Sequence, residues 1–456
     1  MKICNFTVAY LHIFWQVLST VILTQRIERS GVSDVRSRLP ENWLERCDDS
    51  APISSNQPAV EIPFQRWFKF KEAFSPQFIV ECIQSMGRFP ETCLDPFGGS
   101  GTTALTCQLV GVRPTTIEVN PFLADLIISK LNSYDLEALK HDYLKVLGVS
   151  AKMKVNPAAM LADAPDTLVE TGRDSRWVYR RDAASRILAI REAISFLDSA
   201  AHRSLLLVVL GSILVPMSNV VVNGKGRKYR GGWETRQKFG TDVDQAFRDA
   251  FLMVYTDLVR FASAPRPDFT VLCGDSRKLI RQSKPVDMVI FSPPYPNSFD
   301  YTDIYNLELW MLGYLSSRAD NTKLRNQTVR SHVQIKRDFS VEDLTSATLT
   351  RAHRALCRRR EELWDRNIPD MVLAYFSDMK LVLKAVREKL NPSGKVFLAV
   401  GNSKYGGVVV DVAKILTELA PSVGFKFCRA KAMRSMRASA QQGGREELRE
   451  SLVVLG

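Results

Sequence analysis

The stretch ETCLDPFGGSGTT, residues 91–103, predicts a strand, a glycine turn and the start of a helix in immediate succession. Glycines permit positive φ and let a ligand approach the main chain, while the first turn of a helix presents free N–H groups. This order of elements is a nucleotide-cradling arrangement. The next predicted strand ends in Glu118, where a carboxylate can accept hydrogen bonds from both hydroxyls of a ribose. Together these features predict a site for an adenosine derivative.

Other nucleotide-binding classes fit this stretch poorly. The chain has no GxxxxGK[ST] sequence, and no lysine stands where a triphosphate would need one. The run GGSGTT also lacks the GxGxxG spacing of dinucleotide-binding folds. ATPase and dehydrogenase interpretations are therefore disfavoured.

Short β-type runs occur along the rest of the chain, and helical stretches follow most of them. Strands that alternate with helices are typical of a parallel α/β sheet. Between the second and third runs lies the segment Phe122 to Pro267, which is far too long for a βα connection and predicts an inserted, mostly helical module. The predicted strands lie at residues 91–96, 115–119, 270–275, 286–294, 395–402 and 450–456.

The composition is that of a basic globular protein. Contents of 45% hydrophobic and 24% charged residues exclude a disordered or low-complexity chain. The net charge of +13 points to a polyanionic partner or an anionic surface. The eight cysteines are scattered and form no CxxC pair, so no metal site is predicted. Their dispersal fits a reducing cytosol and predicts a cytoplasmic protein.

Two apolar stretches could be mistaken for membrane segments. Asn5 to Thr24 is interrupted by polar residues and is followed by no small-residue cleavage site. A docking helix or an upstream extension is therefore favoured there over a leader or an anchor. Leu205 to Met217 is too short to span a bilayer and is predicted to be a buried core helix. No membrane association is expected.

The tetrapeptide SPPY, Ser292 to Tyr295, follows the predicted strand VDMVIF, at the edge where open α/β sheets place their reacting groups. Two successive prolines take the main chain out of the sheet as a rigid extended loop. A strand-terminating turn would explain the prolines alone, whereas the whole set suits a planar base that bears an amino group. The Ser292 hydroxyl and the Pro293 carbonyl can accept the amino hydrogens while Tyr295 stacks on the ring.

The pair DPFGGSGTT and SPPY resembles the S-adenosylmethionine-dependent DNA methyltransferases that methylate exocyclic amino groups, commonly those of restriction–modification systems. The resemblance runs from about Phe64 to the C terminus. It implies a Rossmann-like, seven-stranded α/β methyltransferase sheet, with S-adenosylmethionine as cofactor and SPPY as the catalytic loop. SPPY is most often met in cytosine-N4 enzymes, whereas DPPY is commoner for adenine-N6. The expected catalytic residues are Ser292, Pro293, Pro294 and Tyr295.

Three stretches are expected to bind the cofactor. Phe74-Ser75-Pro76 resembles the family's helix-opening motif near the cofactor carboxylate, and the glycine motif binds the methionine part. Asp275 ends the third predicted strand, where topology places it to meet the adenine amino group, although Asp in that position is often only a helix cap. The expected cofactor-binding residues are Phe74, Ser75, Pro76, Asp95, Phe97, Gly98, Gly99, Gly101, Thr102, Glu118 and Asp275.

Two basic segments compete for the recognition of DNA. The first is the inserted module, in which the predicted loop Asn223 to Gly232 is basic and glycine-rich. Surface loops are often basic without function, but this one also interleaves aromatic residues. The second is an Arg-rich insertion at about residues 316–367. The residues predicted to contact DNA are Lys225, Arg227, Lys228 and Arg230, while Arg434, Arg437 and Arg445 are predicted in another polar loop.

The sequence therefore predicts a site-specific DNA methyltransferase that acts on the N4 amino group of cytosine in duplex DNA by base flipping. Adenine-N6 methylation is the main alternative, followed by an RNA guanine-N2 methyltransferase and a non-catalytic DNA-binding subunit. The chain contains no Pro-Cys dipeptide, which disfavours the cysteine chemistry of carbon-5 methylation. The expected partners are double-stranded DNA and a cognate restriction endonuclease or another defence-system subunit.

The predicted organisation has four parts. Residues 1–60 form an N-terminal extension and linker, and residues 61–121 form the first part of the catalytic domain with the cofactor motif. Residues 122–267 form the inserted module. Residues 268–456 form the second part of the catalytic domain, with the SPPY loop and the Arg-rich insertion.

Overall fold

The computed structural model describes residues 35–47, 55, 57, 60–170, 176–223, 226–297, 299–341, 344–437 and 447–456. The strands in chain order are β1 Thr92–Asp95, β2 Arg113–Glu118, β3 Val220–Asn223, β4 Gly226–Tyr229, β5 Thr270–Cys273, β6 Val286–Phe291, β7 Leu390–Gly401, β8 Ser403–Tyr405, β9 Val408–Val410, β10 Cys428–Arg437 and β11 Glu447–Leu455. The α-helices are α1 Pro76–Gln84, α2 Thr102–Leu109, α3 Pro121–Leu131, α4 Leu136–Ser150, α5 Pro157–Met160, α6 Arg181–Ser195, α7 Ala200–Leu214, α8 Gly240–Arg260, α9 Ser276–Leu279, α10 Tyr301–Ile304, α11 Asn306–Met311, α12 Arg318–Gln327, α13 Ala347–Arg358, α14 Ile368–Lys389 and α15 Val412–Leu419.

The central sheet has seven strands in the order β10-β11-β7-β6-β1-β2-β5. Strands β7, β6, β1, β2 and β5 run parallel, β11 is antiparallel to β7, and β10 is antiparallel to β11. The Rossmann-like α/β fold is thus confirmed, and the strand predicted at residues 450–456 belongs to the antiparallel β11. The loop predicted around Arg434 and Arg437 is wrong, because both residues lie in β10; Arg445 lies outside the described residues.

Strand β6 leads into the SPPY tetrapeptide and is buried on both faces. All six of its residues are buried. Met288 and Ile290 pack into a core with α1, while Val289 and Phe291 pack into a second core with α14 and α15. Alternate side chains of a strand point to opposite faces, so burial of both faces produces the nearly continuous apolar run VDMVIF.

Helices α3 to α8 and the hairpin β3–β4 occupy the segment that was predicted as an inserted module. Most of their apolar side chains share one hydrophobic cluster, and α7 is buried in it, as predicted for residues 205–217. Helix α3 packs against β2 and β5, so it belongs to the layer that covers the sheet. Strand β4, Gly226–Tyr229, lies inside the predicted basic loop Asn223 to Gly232, so the prediction of a loop is wrong for those four residues. The domain boundaries at residues 121 and 267 stay a prediction.

The N-terminal arm is described only in part. Trp43 is fully buried in the cluster that α3 to α8 form, and its indole Nε1 donates to the Pro63 carbonyl at 3.2 Å. The apolar stretch Asn5 to Thr24 lies outside the described residues. Within the described part of the chain, no helix is both long and apolar enough to cross a membrane.

Candidate active site

A cavity of about 440 Å³ lies along the carboxyl edge of the sheet, where β1, β2, β5 and β6 end. It unites the two sequence motifs that suggested a function. Ser75, Pro76 and Gly101 are next to this wall in sequence, although the wall itself does not include them. The predicted residues that line the cavity are Phe74, Asp95, Phe97, Gly98, Gly99, Thr102, Glu118, Asp275, Ser292, Pro293, Pro294 and Tyr295.

The glycine turn between β1 and α2 is held close to β2. The Gly98 amide donates to the Ile117 carbonyl at 2.9 Å, and a Cβ at Gly98 would meet the Thr116 Cγ2 at 2.3 Å. Gly101 has φ of +81°, and a Cβ there would lie 2.9 Å from Ile127 Cγ1. The turn therefore requires glycine both for its backbone conformation and for its close approach to the neighbouring strand and helix.

Glu118, at the end of β2, is 7% exposed and is held by two main-chain donors. Its Oε2 accepts from the Gly99 amide at 2.7 Å, and its Oε1 accepts from the Asn120 amide at 2.9 Å. A carboxylate offers about four lone-pair sites, so two remain for a ligand. Burial raises the pKa of Glu118 to about 7, against the lowering effect of these hydrogen bonds.

Asp95, at the end of β1, is a second buried carboxyl group in the cavity wall, only 3% exposed. It accepts from the Phe97 amide at 2.9 Å, and desolvation raises its pKa to about 7. The Phe97 ring packs at 5.6 Å from the Phe291 ring, which fixes the wall between the two motifs.

Asp275 caps helix α9, the role that the sequence analysis kept as the simpler alternative. Its Oδ1 accepts from the Arg277 amide at 3.0 Å, and its two oxygens also accept from the Arg277 guanidinium at 2.9 Å each. Arg277 in turn donates to Asp378 of α14 at 2.8 Å. Asp275 still lines the cavity, so its contact with an adenine amino group stays a prediction.

The Phe74-Ser75-Pro76 stretch opens helix α1 as predicted, with Ser75 as the N-cap and Pro76 as the first helical residue. The Ser75 side chain makes no capping hydrogen bond, and its Oγ is buried without a partner among the described residues. Phe74 lines the cavity. The motif thus brings one aromatic residue and one unsatisfied hydroxyl to this side of the site.

The SPPY loop carries a chain of hydroxyl groups that ends on a buried carboxylate. Ser292 Oγ donates to Tyr295 Oη at 3.3 Å, and Tyr295 Oη donates to Glu450 Oε1 at 3.0 Å. Arg434 Nε donates to the other oxygen, Glu450 Oε2, at 2.5 Å. Arg434 and Glu450 are register partners on β10 and β11. Sequence analysis placed Arg434 in a polar loop and did not single out Glu450, because no local pattern links the last two strands to the SPPY loop.

Aromatic rings form the wall next to this loop. Phe299 and Tyr301 meet edge to face at 4.5 Å, and both line the cavity. Tyr305 stacks on Phe70 at 5.2 Å and donates to Glu72 Oε2 at 2.6 Å. Desolvation raises the pKa of Glu72 above its ordinary value. Glu72 and Tyr305 were not predicted, since their pairing joins residues 233 positions apart.

Comparison with known proteins gives a consistent picture, although no family model matches the chain. The chain is 25% identical over 455 residues to the type II methyltransferase M.BsoBI of Geobacillus stearothermophilus, covering 85% of this chain and 84% of that protein. It is 25% identical over 443 residues to the type II methyltransferase M.AvaI of Anabaena variabilis, covering 89% of each. This chain is a relative of the type II methyltransferases.

A shorter similarity supports the same relationship. The type II methyltransferase M.MjaII of Methanocaldococcus jannaschii is 30% identical over 87 residues, which is 19% of this chain and 16% of that protein. The predicted resemblance to restriction–modification DNA methyltransferases is thereby confirmed, and S-adenosylmethionine is the cofactor.

The residues of this methyltransferase fit S-adenosylmethionine. Glu118 keeps two lone-pair sites for the ribose hydroxyls, and the glycine turn lets a ligand approach the main chain. Asp95 and Glu118 also bring two buried carboxyl groups to the cavity, and carboxylates would attract the sulfonium cation of the cofactor. The roles of the individual cofactor-binding residues stay a prediction.

A buried lysine binds the main chain of the glycine turn, and the sequence analysis did not predict it. Lys130 of α3 is fully buried, and its Nζ donates to the Ser100 carbonyl at 2.7 Å. Gln65 accepts from Thr102 Oγ1 at 3.3 Å in the same region. Desolvation lowers the pKa of Lys130 to about 7. In the sequence, Lys130 looks like an ordinary C-terminal helix charge.

The basic residues of the β3–β4 hairpin divide into two kinds. Arg230 binds the Ser218 and Val215 carbonyls at 3.1 and 2.8 Å, so its guanidinium has a structural role. Lys228 is exposed. Arg227 Nη2 lies 3.5 Å from Asp303 Oδ1, and Asp303 directly follows Tyr301 and Thr302 of the cavity wall in the sequence. Lys225 lies outside the described residues. Contact of these residues with DNA stays a prediction, and the described residues hold no cluster of metal-binding side chains.

Proposed function

We propose that this methyltransferase transfers the methyl group of S-adenosylmethionine to the N4 amino group of cytosine at a specific site in duplex DNA. The observation that carries the proposal is the serine at the first position of the catalytic tetrapeptide. Ser292 lies in the same cavity as the cofactor motif and beside the aromatic wall. Adenine-N6 methylation is the alternative product of the same loop.

The proposed chemistry begins with the electrons of the target amino group. The nitrogen of an aromatic amine is a poor nucleophile because its lone pair is delocalised into the ring. The Ser292 hydroxyl and the Pro293 carbonyl accept its two hydrogens and increase electron density on nitrogen. Ser292 donates its own proton to Tyr295, so its lone pairs stay available as acceptors. Bound S-adenosylmethionine supplies an electrophilic methyl group on a sulfonium centre.

The remaining residues position the base. Tyr295 stacks on the flipped cytosine, and Phe299 and Tyr301 form the adjoining wall. Tyr405 Oη donates to the Pro296 carbonyl at 3.0 Å, so the β8–β9 hairpin holds the far end of the catalytic loop. In this proposal the SPPY loop has a fixed shape before the base binds. Such preorganisation is the condition for electrostatic catalysis.

The proposed DNA contacts lie on the β3–β4 hairpin and on the Arg-rich segment at residues 316–367. Arg227 and Lys228 support the first surface, because they stand beside α10, which follows the catalytic loop. We further propose that the protein acts in the cytoplasm, with a cognate restriction endonuclease or another defence-system subunit as partner. The four-part domain organisation belongs to the same proposal, with residues 122–267 as the DNA-recognition module.

The test is to incubate the purified protein with labelled S-adenosylmethionine and mixed-sequence duplex DNA, and to identify the methylated nucleosides by mass spectrometry. N4-methylcytosine is the expected product. N6-methyladenine would contradict the assignment of cytosine, and methylated RNA with unmodified DNA would contradict the assignment of the substrate. The Ser292→Ala variant, assayed in parallel, links any product to this site.

A further inference from the structure

The hydrogen-bonded chain on the SPPY loop has a definite direction. Ser292 Oγ donates to Tyr295 Oη, and Tyr295 Oη donates to Glu450 Oε1. Glu450 is 2% exposed and is held at its other oxygen by Arg434. A donor chain that ends on a buried, ion-paired carboxylate can shift one proton along each link without moving a heavy atom far. Its open end is the serine that faces the cavity.

Methylation of an amino group creates a proton that must leave. When nitrogen forms its new bond to carbon, the amino group has one hydrogen too many for a neutral product. An aromatic amine in that state is a strong acid, because loss of the proton restores conjugation of the lone pair with the ring. A serine hydroxyl is a poor final acceptor for that proton, since a protonated alcohol is itself a strong acid.

We propose that Glu450 is the proton acceptor of the reaction, reached through Ser292 and Tyr295. This inference rests on the proposed amino-group methylation. The nitrogen lone pair forms the N–C bond while the S–C bond breaks and its electron pair returns to sulfur. One amino proton passes to Ser292 Oγ, the serine proton passes to Tyr295 Oη, and the tyrosine proton passes to Glu450 Oε1. The products are a neutral methylated base, a neutral thioether and a protonated Glu450.

Glu450 suits this role better than the other carboxylates of the cavity. Among the described residues, the hydrogen-bonded chain from Ser292 ends on Glu450. Glu72 and Asp275 accept from Tyr305 and Arg277, which lie outside that chain. Asp95 and Glu118 lie at the glycine turn. Arg434 Nε pairs with the other oxygen of Glu450, Oε2, and protonated Glu450 returns its proton to water when the product leaves. Glu450 acts through Tyr295 and is therefore a positioning residue for the proton path.

The first experimental variant is Tyr295→Phe, which keeps the aromatic ring and removes the hydroxyl link. We expect its single-turnover methylation rate to fall about 100-fold, the lower end of what a positioned proton-transfer group contributes. Cofactor affinity measured by calorimetry and base flipping measured by 2-aminopurine fluorescence should stay within about twofold of the wild type, because stacking is retained. Tyr375→Phe is the matched control: Tyr375 Oη is buried and has no partner among the described residues.

The second variant is Glu450→Gln, which keeps the size and one acceptor oxygen but removes the base. Its methylation rate should fall as far as that of Tyr295→Phe, with KM for DNA unchanged. Glu450→Asp should recover part of the rate. The wild type should show a solvent deuterium isotope effect on single turnover that both relay variants lose. Thermal unfolding and cofactor binding of each variant establish that the site is folded.

The proposal is overturned by wild-type rates in Tyr295→Phe or Glu450→Gln. It is also overturned if both variants lose base flipping together with activity, because the hydroxyl chain then only orients the loop. The identity of the methylated nucleoside is determined separately in the wild type. Methylated adenine would refute the cytosine assignment, while the comparison of relay variants would still decide the proton path on that base.

Discussion

The two halves of the cavity are built in different ways. The half proposed to bind the cofactor, here the cofactor half, consists of main-chain amides, glycines and two carboxyl groups that lie within or just after adjacent strands. The half proposed to bind the target base, here the target half, consists of side chains from distant parts of the chain: Tyr295 binds Glu450 across 155 positions, and Glu72 binds Tyr305 across 233. A site made of main chain is encoded locally, whereas a site made of paired side chains depends on the assembled fold.

The largest expected effect is that of the substitution Gly98→Ala, which tests the glycine turn of the cofactor half. The new Cβ would lie 2.3 Å from Thr116 Cγ2 and 2.8 Å from Ile127 Cδ1, so the turn must leave its position against β2. We expect loss of measurable cofactor binding in calorimetry. Gly148→Ala in α4 is the control, because a Cβ there meets nothing within 4 Å. Wild-type affinity in Gly98→Ala would refute the main-chain basis of the cofactor half.

The target half should respond in turnover and not in cofactor affinity. Ser292→Ala removes one acceptor for the amino hydrogens, and we expect kcat to fall about 100-fold, as when one preorganised hydrogen-bonding group is lost. Tyr295→Ala removes both the stacking ring and the hydroxyl, so its turnover should fall further. Single-turnover assays and calorimetry separate the two effects. An equal loss of cofactor binding and turnover would contradict the separation of the halves.

The pH dependence of cofactor affinity tests the two buried carboxyl groups of the cofactor half. Burial raises the pKa of Asp95 and of Glu118 to about 7, so both are mostly protonated at pH 6 and ionised at pH 8. The carboxylate is the better acceptor for ribose hydroxyls and attracts a cation, so cofactor affinity should rise with pH, by about tenfold per group over this range.

Glu118→Gln isolates the contribution of Glu118 to that rise. The variant should show a smaller increase, and the ratio of wild-type to variant affinity cancels the titration of the cofactor itself. Calorimetry between pH 6 and pH 8 gives both curves. Parallel curves for the two proteins would contradict the titration of Glu118 in this range.

The smallest expected effect lies outside both halves, on the β3–β4 hairpin. Replacing Arg227 and Lys228 by Ala together should weaken DNA binding about threefold at moderate salt and leave cofactor affinity unchanged. The salt dependence of DNA binding should decrease by about one unit of slope for each lost phosphate contact. Arg230→Ala should instead lower thermal stability, since it removes the hydrogen bonds of the guanidinium to the Ser218 and Val215 carbonyls. An unchanged salt slope in the double variant would refute DNA contact by the hairpin.

The sequence predicted more of the cofactor half than of the target half, for a physical reason. The glycine turn, Glu118 and the parallel strands follow from short contiguous patterns, because local backbone geometry dictates those residues. Glu450 and Arg434 carry no such pattern. In sequence they are charges on a polar stretch, and only the register of β10 with β11 buries them against the catalytic loop. Lys130 escaped prediction for the same reason, since its burial depends on how α3 packs behind the turn.

The ion pair between Arg434 and Glu450 also constrains how this protein can change over generations. Loss of the arginine alone would leave a buried carboxylate uncompensated, and loss of the glutamate alone would leave a cation beside a tyrosine hydroxyl. Either single change is expected to destabilise the fold by less than the about 3–5 kcal/mol of a fully buried pair, because the Arg434 side chain is 29% exposed. Substitutions at Arg434 and Glu450 are therefore expected to occur together in evolution, and Tyr295 of the SPPY loop is expected to change with them.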